Sequence, residues 1–203
     1  MKKILFLFVI LSVYSCTNDD DGTGRSLPAI TSDGSNTFGC EINGEVFLPR
    51  NRGGFSAGYT TVLSARYRYY QNEYYGLEPG YHLAINAFNS LTSKSVSIRL
   101  AASNEPIQTG ETYPITLEND GSIFARYHFS TRTQDTNYPN VFYYNSFNHI
   151  TTENYGGEIT FNLVDEEKQI ISGVFHFNCI NPETNELVEI LDGRFDIEYD
   201  NWF

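Results

Sequence analysis

From Thr37 onward, apolar and polar residues alternate with a period of two, the spacing of strands that bury one face. Phe38, Cys40 and Ile42 share one face, with Gly39, Glu41 and Asn43 on the other. Asn43-Gly44 then predicts a tight hairpin turn, followed by Val46-Phe47-Leu48 and Pro49. Leu83, Ile85 and Ala87 form a second alternating set, and Val96, Ile98, Leu100 and Ala102 a third. Ile159, Phe161 and Leu163 lead into the polar turn Asp165-Glu166-Glu167-Lys168. Gly173, Phe175, Phe177 and Cys179 share a face of the return strand, and Asn181-Pro182-Glu183-Thr184-Asn185 is the next turn. Phe195, Ile197 and Tyr199 are expected to face in, with Arg194, Asp196 and Glu198 facing out. No window carries an apolar stripe at helical spacing. The pattern predicts one all-β domain over residues 37–203, an antiparallel β-sandwich or barrel, with pattern alone leaving those two open. Residues 51–80 and 130–157 are the least regular and read as long loops.

The N-terminus follows a different pattern. Lys2-Lys3 precedes an apolar run from Ile4 to Tyr14, too short for a spanning helix, which needs about 20 residues, and right for a secretory signal over residues 1–15. Val13-Tyr14-Ser15-Cys16 resembles a bacterial lipobox, although Tyr14 stands where a small residue is usual. The resemblance implies cleavage before Cys16 and a lipid on its thiol, which would anchor the chain to a membrane. Thr17-Asn18-Asp19-Asp20-Asp21-Gly22 looks like the acidic signal that sends Bacteroidota lipoproteins to the outer face of the outer membrane; the plainer reading is a solvated spacer. Residues 16–36 are expected to form the lipidated cysteine and a flexible acidic tether, with a span on the order of 25 Å.

Composition adds to this picture. The 203 residues include 15 Tyr and 15 Phe, a balance that favours strands. The net charge of −12 becomes −14 once Lys2 and Lys3 leave with the signal, since no acid leaves with them. So acidic a surface argues against a nucleic-acid partner. It equally disfavours direct docking on anionic lipid.

Thr37-Phe38-Gly39-Cys40 with Asn43-Gly44, and Ile171-Ser172-Gly173-Val174-Phe175 with Asp192-Gly193-Arg194-Phe195-Asp196, resemble the framing segments of a family of uncharacterised Bacteroidota lipoproteins. The resemblance spans nearly the whole domain, supports the lipoprotein reading and implies no catalytic residues or cofactor.

Candidate chemistry is sparse. Cys40 and Cys179 both point at the core, either as a disulfide or as two separate buried thiols. His82, His128, His149 and His176 are far apart in sequence and read as solvated strand residues; no cluster offers a metal site. Glu153 with Glu158, or Asp196 with Glu198, are the carboxylate pairs that a glycosidase would need, and nothing in the pattern indicates a cleft around either. The aromatic clusters are the better lead. Tyr67, Tyr69, Tyr70, Tyr74 and Tyr75 lie near Arg66 and Arg68, and Phe142, Tyr143, Tyr144 and Phe147 form a second group. Exposed tyrosine suits stacking on sugars or docking a protein; alternating tyrosine also simply covers both faces of a strand. The reading that follows is a surface-anchored binding module for a glycan or envelope protein, rather than an enzyme. A hydrolase of extracellular polymer, or a structural envelope component, is the alternative.

Overall fold

The computed structural model describes residues 26–51 and 61–199. The signal segment, Cys16 and the acidic run after it lie outside the described residues. Among the described residues there is no helix. Eleven strands run β1 (Thr37–Ile42), β2 (Glu45–Phe47), β3 (Leu63–Tyr70), β4 (Gly80–Asn89), β5 (Lys94–Ser103), β6 (Thr112–Thr116), β7 (Ile123–Gln134), β8 (Phe142–Ile150), β9 (Gly157–Asp165), β10 (Ile170–Ile180) and β11 (Leu187–Glu198). They form one sheet in the order β2-β1-β11-β10-β9-β6-β7-β5-β4-β3, with β8 pairing β7 along its length and β10 at one position. The ladders are antiparallel except for a two-residue parallel contact of β6 with β7. The sheet folds over one core, and the segment after β2 reaches the end of β4 at an isolated bridge between Arg50 and Asn89.

The inward sets match the alternation of the sequence. Phe38, Ile42, Leu83, Ile85, Val96, Ile98, Ile159, Phe161, Phe175, Phe177, Phe195 and Ile197 are all buried in one cluster. Burial of this many apolar side chains is the main force holding the sheet closed, at about 25 cal/mol for each Å² removed from water.

The segments that frame the domain in sequence are neighbours in space. In β10 and β11, Ser172 pairs Asp196, Gly173 pairs Phe195, Val174 pairs Arg194 and Phe175 pairs Gly193. On the other side of β11, Thr37, Phe38 and Gly39 pair Asp196, Phe195 and Arg194. Their glycines make room for rings: a Cβ on Gly193 would sit 2.4 Å from the Phe175 ring. These segments are packing motifs of three adjacent strands.

That register also decides the cysteine question. β11 lies between β1 and β10, so Cys40 and Cys179 stand two strands apart, about 10 Å, and are further offset along the strands. A disulfide needs Cα atoms within about 7 Å. Both cysteines are free, buried thiols, and burial pushes the Cys179 thiol up to about 12.

Three expectations need correction. Tyr67, Tyr69 and Tyr70 lie on β3 rather than in a loop, and the 130–157 segment holds the end of β7 and all of β8. The alternation there is muted because β3 uses Ala and Tyr as its inward residues, while the outer half of the β7–β8 hairpin is exposed on both faces.

The tether does not extend to residue 36. Thr31 Oγ1 donates to Asp196 Oδ2 at 2.6 Å, and the backbone amides of Asp33, Gly34 and Ser35 donate to the same carboxylate at 3.0, 2.9 and 3.2 Å. Ser32 and Ser172 join hydroxyls at 2.6 Å, and Asn36 accepts the Glu198 amide.

Asp196, third, points away from the apolar core as its alternation requires, yet this strap covers it and leaves it 1% exposed. The four donors hold its carboxyl below the usual carboxylate range against the opposing effect of burial.

Candidate functional site

Strand alternation splits the first tyrosine cluster in two. Residues of β3 successively face opposite sides, so Tyr67 and Tyr69 share the inner face, and Arg68 and Tyr70 the outer one. In register, Tyr69 stands opposite Tyr81 of β4. Gly80, next to it, holds φ at 137°, and a Cβ there would meet the backbone of Ala102 and Ser103 at 2.8 Å. Glycine therefore lets β4 lie close against β5 at the point where Tyr81 enters the site.

The inner group is continuous. The Tyr67 ring stacks on Tyr81 at 5.9 Å and meets the Tyr199 ring edge-on at 6.0 Å. Tyr69 and Tyr81 are 4.8 Å apart and tilted. Tyr67 is buried, and its hydroxyl accepts the Ile107 amide at 2.8 Å. Burial raises its pKa against the opposing effect of that hydrogen bond, and burial with the nearby charges of Glu166 and Asp165 pushes the Tyr199 hydroxyl up to about 12. Both hydroxyls keep their protons at neutral pH and can donate. Tyr69 stays half exposed, at 49%.

These rings, with Arg68 and Glu166, line a recess of about 360 Å³, within the usual range for small-molecule sites. Glu166 reaches it from the β9–β10 turn, where the Asp165 carboxylate accepts the amides of Glu167 and Lys168 and fixes the turn. A second recess of about 450 Å³ shares Ile107 and has Leu100, Gln108, Tyr113, Ser122 and Ile123 among its lining residues.

The outer group packs on itself. Tyr70 stacks on Tyr74 at 5.4 Å and meets His82 edge-on, Tyr75 stands against Tyr74, and the Arg68 guanidinium lies 5.5 Å from the Tyr70 ring.

The second aromatic group is remote from both. It sits on the β7–β8 hairpin, at the opposite end of the strands. Counting residues along β7 from the Ile123–Leu100 pair to Gln134 puts it on the order of 40 Å from Tyr69. Cross-strand register sets Phe142 and Tyr144 on one face with Arg132, whose guanidinium lies 3.5 Å over the Phe142 ring. Tyr143 faces the other way and donates to Asp135 at 2.8 Å. That bond and the amides of Asn137 and Tyr138 hold the Asp135 carboxyl below its ordinary range. Tyr138, Tyr143 and Tyr144 remain exposed.

The carboxylate pairs do not assemble. Asp196 is tied into the strap, and Glu153 and Glu158 line different recesses. Among the described residues no three His, Cys, Asp or Glu side chains cluster for a metal ion.

His149 departs from the solvated reading. It is fully buried against Tyr127 and Phe129, and neither ring nitrogen has a hydrogen-bond partner. Glu186 Oε2 is 3.7 Å from Nε2, too far for a hydrogen bond, and burial outweighs its pull and lowers the imidazole pKa.

Sequence reasoning missed Tyr81, Tyr199 and Glu166 as partners of Tyr67 and Tyr69. Tyr199 carried an inward-facing signal, but the Tyr69–Tyr81 pairing depends on strand register. Compared with known proteins, the chain matches no family model, and no curated protein or solved structure is detectably similar to it.

Proposed function

We propose that the chain is a lipid-anchored binding module on the outer face of an outer membrane, with a saccharide held in the recess of Tyr67, Tyr69, Tyr81 and Tyr199. The recess is the observation that carries this reading. Its exposed Tyr69 ring and half-buried Tyr81 ring offer surface of the kind that stacks on a pyranose ring, and the tyrosine hydroxyls of its otherwise polar lining supply donors for sugar oxygens. The signal segment, Cys16 and the following acidic run, together with the resemblance of the framing segments to Bacteroidota lipoproteins, support the address. With residues 31–35 bound to Asp196, the tether available between lipid and domain is shorter than the sequence implied.

A thermal-shift panel of oligosaccharides on the full chain in detergent tests the binding half. Ligand at about 100 times its dissociation constant adds about 2.7 kcal/mol, or about 5–10 °C for a domain of this size. Tyr69→Ala abolishes that shift and Tyr143→Ala leaves it intact. The reverse order would favour a protein partner on the β7–β8 hairpin, the reading that its exposed Tyr138, Tyr143 and Tyr144 support. The address is tested by Cys16→Ser, which abolishes acyl labelling and moves the chain to the soluble fraction; unchanged membrane association would refute the anchor.

A further inference from the structure

The chemistry of the recess selects among saccharides. Two of its rings, Tyr69 and Tyr81, are open to the recess, and a ring face carries negative charge density and attracts cations. Glu166 is the acidic group among its lining residues. Asp165, adjacent to it, already has Lys168 at 3.7 Å. Arg68 also borders the recess, but its guanidinium is drawn to the Tyr70 ring on the outer face of β3, since residues 68 and 70 share that face. The inner side therefore presents the open rings of Tyr69 and Tyr81, the largely buried Tyr67 and Tyr199, and a carboxylate, on a chain of net charge −12.

We propose that the ligand is a cationic saccharide, one carrying a free amine, as in a deacetylated amino-sugar oligomer. This rests on the saccharide reading above and narrows it. The pyranose face lies against Tyr69 and Tyr81, the exposed and half-buried rings at the mouth. The ammonium group faces Glu166, and the protonated hydroxyls of Tyr67 and Tyr199 serve the ring and hydroxymethyl oxygens. A neutral N-acetylated sugar would leave the carboxylate without a counter-charge and place an amide where the ammonium belongs.

The test compares two probes that share one backbone and differ only at the amino group, free or acetylated: a β-1,4-linked glucosamine tetramer and its fully N-acetylated counterpart. Both are titrated calorimetrically into the full chain in detergent at about pH 6, where an amine is protonated. The glucosamine tetramer binds about tenfold tighter, the combined scale of a partly exposed cation–π contact and an exposed ion pair. Added salt narrows that gap. Glu166→Gln, an exposed turn substitution that leaves the fold intact, brings the two probes to within about twofold. Tyr69→Ala weakens both. Equal or tighter binding of the N-acetylated tetramer overturns the cationic assignment and leaves the saccharide reading standing. No binding of either probe, with the domain folded by its melting transition, overturns both.

Discussion

Replacing Asp196 with alanine removes the acceptor that four donors share: the Thr31 hydroxyl and the amides of Asp33, Gly34 and Ser35. A hydrogen bond to a charged group contributes about 1.5–3 kcal/mol. The four bonds act on one carboxylate, and water can reach the amides once it is gone, so they do not add. The expected loss is about 3 kcal/mol, equivalent to about 6–12 °C in melting temperature for a domain of this size. Asp196→Asn keeps an acceptor oxygen but loses the charge, and falls about midway. Thr31→Ala removes a single donor to the carboxylate and costs about 1.5 kcal/mol. Urea unfolding of all three variants gives the free energies. Limited proteolysis locates the effect, because a released strap opens residues 26–36 to cleavage while the sheet stays intact. The pH dependence has a definite sign. The folded carboxyl sits below its usual pKa of 3.8, so its contribution is present above that value and is lost as pH falls through the folded pKa. A shift of less than about 2 °C for Asp196→Ala, with the strap still protected, would refute the claim that this carboxylate holds the N-terminal segment to the sheet.

Two further outcomes follow from buried groups. His149 is held below its ordinary pKa, so the unfolded chain binds the proton more tightly, and stability falls as pH drops below about 6.5 towards the folded value. His149→Leu flattens that slope between about pH 7 and 5 and leaves stability at pH 8 nearly unchanged, because it removes two unpaired nitrogens with the ring; equal slopes in chemical denaturation would contradict this. Because Cys40 and Cys179 are separate thiols, adding a reductant leaves the melting temperature unchanged, and a fall of several degrees would show that they are bonded.

The all-β class and most of the core were legible in the sequence, because strands such as β4 and β5 bury one face and leave the other partly exposed. Legibility failed where that contrast is weak. In β3 the inward set is Ala65, Tyr67 and Tyr69, small or amphipathic side chains that do not stand out against Arg66 and Arg68. Asp196 showed its orientation but not its burial, since its cover comes from residues 31–35, more than 160 positions away. His149 lies in a segment with no apolar alternation, and what buries it belongs to β7 and to the β10–β11 turn. The recess was half legible: Tyr67 and Tyr69 were singled out as a cluster, whereas Tyr81, Tyr199 and Glu166 join them only through the β3–β4 register and the fixed β9–β10 turn.

The most direct test of the central claim is a two-dimensional NMR spectrum of the chain with ring-labelled tyrosine, followed during titration with the oligosaccharide that gives the largest thermal shift. Saturable shifts confined to Tyr67, Tyr69, Tyr81 and Tyr199 are expected, with Tyr138, Tyr143 and Tyr144 unmoved. Shifts at the hairpin tyrosines with the recess silent would contradict the claim.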